Sequence, residues 1–219
     1  LNGSLHANGL IGIVALQGNI EMEALVARGC RPLGKPMTAN TCEHNLLFEL
    51  DNRPASQALA ELYHSLSEND QVCMHDSLLL GIASTEIKDP SEPHEFLMRN
   101  IVQMDHEKGL LAIGDVLRSG QTVQFHLRDA EAANEELDLL LKEYSDQSSS
   151  PNGALLFTCT GRSQHFFSEP NYESNAFFKR VGHIPLTGFF CSGEIGPVGH
   201  STNLHGYASS FGLFRPARQ

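Results

Sequence analysis

"GFFCSGEIGPVG", residues 188–199, decides how this chain is read. Aromatic and sulfur side chains run into a cluster of glycines, with one carboxylate, Glu194, held between Gly193 and Gly196. Glycine beside a lone charge marks backbone that turns sharply or lets another group approach closely. A structural turn closing a hairpin is the plainer alternative. Upstream lie an apolar strand pattern, "ALLFTC" (154–159), a loop with room for a short helix, and a helical pattern, "NYESNAFFKRVG" (171–182). Strand "PLTGFFC" (185–191), the glycine turn and strand "LHGYASSFGLF" (204–214) follow. This is a β-α-β unit with one added strand, so residues 154–214 are expected in one mixed sheet with a helix packed on it.

Moving toward the N-terminus, "AEAANEELDLLLKEYSD" (130–146) places acids early and Leu137, Leu140, Leu141 and Tyr144 on one face, the pattern of an amphipathic helix. "FLMRNIVQMD" (96–105), "GLLAIGDV" (109–116) and "TVQFHLRD" (122–129) are short strands with polar breaks, a β-meander. "NLLFELDN" (45–52) is a strand ending in an Asp-Asn turn, "PASQALAELYHSLS" (54–67) a helix begun by proline, and "SLLLGIAS" (77–84) a strand. "DPSEPHE" (89–95) reads as a loop and residues 10–28 as a hairpin. "GCRPLGKP" (29–36) looks unable to continue helix or ladder and is the best candidate boundary. The fold class is α/β in the broad sense (α+β mixed): a mixed β-sheet with packed helices, a meander in the middle and a β-α-β-β unit at the C-terminal end.

The chain has 219 residues, 41% of them hydrophobic and 19% charged, enough for a sizeable core and too apolar for global disorder. Net charge is −11, which argues against nucleic acid and anionic membrane as partners, because neutralising phosphate needs clustered Lys and Arg. No apolar run reaches the ~20 residues that cross a bilayer, so no membrane insertion is expected. The first residue is Leu1, and a cut domain or processed fragment is the expectation. The five cysteines, Cys30, Cys42, Cys73, Cys159 and Cys191, are odd in number and never spaced as CxxC. They read as buried thiols in a reducing, cytoplasmic compartment.

"CTGR" (159–162) ends one strand of the C-terminal unit and "CSGEIG" (191–196) ends another. Parallel strands put both carboxyl ends on one edge, where α/β sheets bind ligands. Cys159, Thr160, Arg162, Cys191, Ser192, Gly193 and Glu194 are therefore the candidate ligand-binding residues. Arg162 and Glu194 either pair with each other or divide a ligand between them, Arg162 clamping a carboxylate through its planar fork and Glu194 an ammonium. A thiol nucleophile needs a nearby base, and His165, His183, His200 and His205 all lie in this block. No nucleophile signature surrounds either cysteine, no ligand spacing for a metal stands out, and the residues name no cofactor. No catalytic residue or metal ligand is assigned.

These motifs carry a resemblance. "GALLFTCTGR", "IPLTGFFCSGEIGPVG" and "LHGYASSFGLF" resemble the C-terminal FIST domain, named for F-box and intracellular signal transduction proteins. "NLLFELDNRPASQALAELY" and "RNIVQMDHEKGLLAIGDVLRSGQTVQFHLRDA" are similar to the opening and middle of that domain, so the likeness covers about residues 43–214. It implies residues 41–215 as a C-terminal FIST domain and residues 1–40 as the remnant of an N-terminal one. The family implies an intracellular sensory module binding a small molecule, with amino acids proposed as ligands, and signalling or ubiquitin-ligase proteins as partners. A subset binds haem and senses nitric oxide. For that alternative His205 and His183 are the candidate axial ligands. An adaptor that docks a protein partner is the remaining alternative.

Overall fold

The structure is a computed structural model and describes residues 15–84, 96–147, 150–199 and 201–217. The expected loop at 89–95, residues 9–14 of the strand expected over 9–17 and His200 lie outside the described residues, and residues 15–17 are not in a strand. In chain order the elements begin with strands β1 (Glu21–Ala27), β2 (Cys30–Glu43), β3 (Leu46–Leu50) and β4 (Arg53–Pro54). Helices α1 (Ala55–Ser65) and α2 (Glu68–Ser77) lead into strands β5 (Leu78–Ala83), β6 (Phe96–Asp105), β7 (Leu110–Ile113) and β8 (Thr122–Arg128). The long helix α3 (Ala130–Gln147) is followed by β9 (Gly153–Cys159), a 3-10 turn (Thr160–Arg162), α4 (Gln164–Phe167) and α5 (Tyr172–Val181). Strands β10 (Leu186–Cys191), β11 (Glu194–Val198), β12 (Ser201–His205) and β13 (Ser209–Arg215) complete the fold. It is α+β, with mixed sheets and packed helices.

The larger sheet runs β2-β8-β5-β6-β7-β3-β4, and a further β2–β3 pairing closes it into a barrel-like ring. β5, β6 and β7 are consecutive antiparallel neighbours, which is the meander. Its third strand is β5 rather than β8, because β8 crosses to the other side of β5 to pair with β2. Phe125, Leu80, Leu111, Ile113, Leu47 and Leu50 fill the interior, with Ala55, Ala58 and Leu59 of α1 packed against them. Asp51 and Asn52 both adopt left-handed φ (47° and 61°), the geometry of the two-residue turn that the Asp-Asn pair predicts.

The Gly/Pro stretch at 29–36 does not interrupt the ladder. β2 runs through it, and its advance from Leu33 to Met37 matches only Phe125 to Val123 on β8. The bulge absorbs Gly34, at φ 62°, together with Pro36, so residues that forbid a regular ladder sit where no regular pairing is made.

The smaller sheet has the order β1-β13-β9-β10. β9 and β10 are parallel, in register from Leu186↔Ala154 to Cys191↔Cys159, and α5 connects them. β1, the second strand of the hairpin expected over residues 10–28, pairs antiparallel with β13, Glu21 opposite Arg215. Residues 154–214 do not form one sheet, since β11 and β12 make a separate two-stranded hairpin. The expected strand at 204–214 is broken at Tyr207, whose φ of 59° no strand residue adopts. Helices α3 and α5 bury Leu137, Leu141, Tyr144 and Phe177 against Ala154, Leu156, Phe211 and Leu213, with the Phe177 and Phe211 rings stacked 5.7 Å apart.

Candidate functional site

The parallel register brings the carboxyl ends of β9 and β10 to one edge of the smaller sheet. Side chains alternate across a strand, so Thr158 and Cys159 face opposite ways and the edge carries two different groups.

On the side facing α5, Glu173 is the hub. Its carboxylate accepts the Thr158 and Ser209 hydroxyls, and Arg162 Nε donates to Oε1 at 2.8 Å. Arg162 is 2% exposed and Glu173 5%, so this is a buried ion pair with its lone pairs used by hydroxyls. Arg162 Nη1 donates to the Arg28 carbonyl at 2.8 Å, while Nη2 is buried with no hydrogen-bond partner. The guanidinium lies 5.2 Å from the Phe167 ring, which is itself stacked on Tyr172 at 4.3 Å. These groups border a cavity of about 280 Å³ lined by Thr158, Arg162, Phe167, Tyr172, Glu173 and Phe190. Gly29 makes the arrangement possible: a Cβ there would stand 2.6 Å from Arg162 Nη1 and 2.3 Å from the Ala133 Cβ.

On the opposite side sit Cys159, Cys191 and Glu194. Glu194 is 1% exposed; its carboxylate accepts from the Cys191 thiol at 3.3 Å and from the Ala208 amide at 3.3 Å. Burial raises the Glu194 pKa above the usual carboxylate range. Burial and then the Glu194 carboxylate push the Cys191 thiol up to about 11, so at neutral pH it is a protonated thiol and a poor nucleophile. The glycines framing Glu194 answer to packing: a Cβ on Gly196 would lie 2.3 Å from the Val26 side chain, and one on Gly193 3.1 Å from Leu204. Glu194 faces inward under this hairpin.

Of the residues expected at the rim, Arg162 lines the cavity, while Cys159, Cys191 and Glu194 gather on the far side. Thr160 and Ser192 are exposed, and Gly193 is half-buried in the turn. The ion-pair partner of Arg162 is Glu173, not Glu194. Sequence reasoning missed Glu173, Thr158, Ser209 and Phe167. The one available signal was the acid in the first turn of α5, which reads equally well as a helix-dipole residue. His205 is buried with Nε2 3.2 Å from the Gly196 carbonyl, and His183 stacks on Phe178 at 5.0 Å. Among the described residues no cluster of three or more His, Cys, Asp or Glu side chains is arranged to hold a metal ion. No helix among them is long and apolar enough to cross a membrane.

A profile of the FIST C domain matches residues 55–197, and one of the FIST N domain matches residues 1–53. An uncharacterized protein of Mycobacterium tuberculosis is 35% identical over 208 residues, 94% of this chain and 54% of that protein. An uncharacterized protein of Mycobacterium bovis is 34% identical over 191 residues, covering 87% and 50%. An F-box/LRR-repeat protein of Arabidopsis thaliana is 30% identical over 95 residues, 41% of this chain and 18% of that protein. The chain thus spans about half the length of the curated bacterial relatives it matches.

Proposed function

The chain belongs to the FIST family, and from that premise we propose that it is an intracellular small-molecule-binding sensory module feeding signal transduction, without catalytic activity of its own. The ligand occupies the cavity at the carboxyl ends of β9 and β10. One observation carries this reading: a buried guanidinium that borders the cavity and keeps one nitrogen without a partner. An unmet buried donor costs free energy that a ligand carboxylate recovers, and Arg offers the planar fork for it. An amino acid suits the cavity, with its carboxylate on Arg162 and its ammonium toward Glu169 at the rim rather than toward Glu194. Thr160, Ser192, Gly193, Cys159, Cys191 and Glu194 back the site and shape its turns. Residues 1–40 are read as the end of an N-terminal FIST domain and 41–215 as the C-terminal one.

Thermal shift of the chain against a panel of amino acids, and of matched carboxylates lacking the ammonium, tests the proposal. A cognate ligand raises Tm; Arg162→Gln abolishes the response and Phe190→Ala weakens it while leaving the apo fold intact. No response to any member of the panel, or an unchanged response in both variants, overturns the reading.

A protein-docking adaptor is the second reading, favoured by Phe189 and Phe190, which are 64% and 58% exposed on edge strand β10. The similarity to an F-box/LRR-repeat protein agrees with it. An adaptor gives no ligand-dependent shift, and a sensor does.

A further inference from the structure

A second cavity, of about 420 Å³, opens beside the same Thr160–Arg162 turn and is lined by Ser77, Arg128, Gly161, Ser163, His165 and Phe166. Its chemistry differs from that of the first. Among the described residues no carboxylate lines it, although the chain as a whole carries a net charge of −11. The cavity's one arginine is Arg128, the last residue of β8. Its guanidinium carbon lies 5.2 Å from the Phe166 ring centroid and 5.0 Å from that of Tyr207. Tyr207 is itself fixed by a 3.0 Å hydrogen bond from its hydroxyl to Asn100. Gly161 admits this packing, because a Cβ there would stand 2.9 Å from the Tyr207 ring and 3.1 Å from Arg128 Nη1.

Arg28, Arg31, Arg99, Arg162, Arg180 and Arg215 each hold a carboxylate. Arg128 holds none among the described residues, and its Nε is buried without a hydrogen-bond partner. Two aromatic contacts orient a guanidinium but leave its in-plane donors unused. Ser77, Ser163 and His165 add further donors around the same space.

We propose that this cavity is an anion site for a phosphate group, either inorganic phosphate or the phosphoryl end of a small phosphate monoester. A carboxylate would use the guanidinium fork and leave the hydroxyls and imidazole idle. A tetrahedral phosphate presents three acceptor oxygens and a charge of about −1.5 to −2, matching a fork plus donors on several sides. The cavity has room for an organic body beside the Phe166 ring. The site is separate from the Arg162 cavity and shares only Ser163 with it, so a phosphate bound here would brace one side of the turn that carries Arg162.

Calorimetric titration of the full chain with inorganic phosphate, glycerol phosphate and acetate at constant ionic strength tests this. Saturable binding is expected for at least one of the two phosphates, with acetate weaker, and preference between the phosphates identifies the source. Arg128→Gln should weaken binding about tenfold or more, and Arg128→Lys, which keeps the charge but not the fork, by a smaller factor. His165→Gln, at an exposed position that does not threaten folding, should weaken it about threefold. Phe190→Ala, in the other cavity, should leave it unchanged. No saturable phosphate binding, acetate binding as tightly as both phosphates, or wild-type affinity in Arg128→Lys and His165→Gln overturns the proposal.

Discussion

Among the described residues, the two edges of the smaller sheet are finished differently. At the β1 edge, Glu21 and Glu23 point their carboxylates at Arg215 of β13, at 3.3 and 3.0 Å. Charges on an edge strand discourage another strand from pairing there. At the β10 edge the strand reads Leu-Thr-Gly-Phe-Phe-Cys, without a charge, and exposes both phenylalanines. Its ion pair is buried instead: Arg162–Glu173 lies just beneath, beside the cavity. One edge spends its charges on solvent-facing protection, and the other withdraws them into a site. That contrast sets the β10 edge, where we propose the ligand site, apart from the β1 edge.

The largest expected effect comes from breaking the withdrawn pair. Glu173→Ala strips Arg162 Nε, Thr158 and Ser209 of their shared acceptor and leaves a buried charge uncompensated. Urea denaturation should show a loss of about 3–5 kcal/mol. A loss indistinguishable from that of Glu23→Gln at the other edge would erase the contrast between the two edges, because the glutamates paired with Arg215 keep 41% and 37% of their side chains exposed and are screened.

The next effect belongs to the barrel and sets the background for any acid titration of the edges. His126 is buried, with Nδ1 3.0 Å from the Gln124 carbonyl. Burial lowers its pKa from 6.5 to about 4. A depressed histidine is neutral in the folded state and takes up a proton on unfolding, so its contribution is full above pH 6.5. It is lost as pH falls from 6.5 toward 4, by up to about 3 kcal/mol. Urea midpoints across that window should fall in the wild type and fall less in His126→Phe. A flat wild-type profile would mean the imidazole is solvated.

How much of this was legible beforehand differs between the same regions. α3, β9 and β10 follow from local periodicity and apolar runs, and the turns at 159–162 and 191–196 did mark one edge. The β1–β13 pairing joins Glu21 to Arg215 across nearly the whole chain, and no local pattern encodes such a register. α2 reads "ENDQVCMHDS" with no apolar stripe; it is started by Ser67, whose side chain accepts from the Asp70 amide. Glu194 drew notice through its glycines, whereas Glu173, in an ordinary helical first turn, did not. Glycine pattern reports backbone crowding, here the Val26 contact at Gly196, more directly than it reports ligand chemistry.

A smaller effect separates the carboxylate on the far side of β10 from a redox role. The Cys191 thiol is held up first by burial and then by Glu194. Glu194→Gln removes the second cause only, so iodoacetamide alkylation of Cys191 at pH 8 should quicken modestly while remaining slower than that of exposed Cys73. Alkylation of wild-type Cys191 as fast as that of Cys73 would contradict the buried carboxylate–thiol contact.

The smallest effect on stability is expected at Phe189, and it probes the edge contrast most directly. Its ring meets Phe157 edge-on at 5.1 Å but is 64% exposed, so Phe189→Lys should cost about 1 kcal/mol or less. The substitution gives β10 the kind of charge that β1 already carries. An unguarded apolar edge pairs with other strands, so the lysine should raise the concentration at which light scattering detects association. Replacing Glu21 and Glu23 by valine should lower it, by stripping the other edge of its guard. If Phe189→Lys leaves association unchanged while the valine pair provokes it, β10 is not a site of strand pairing. The exposed phenylalanines would then serve the cavity wall alone.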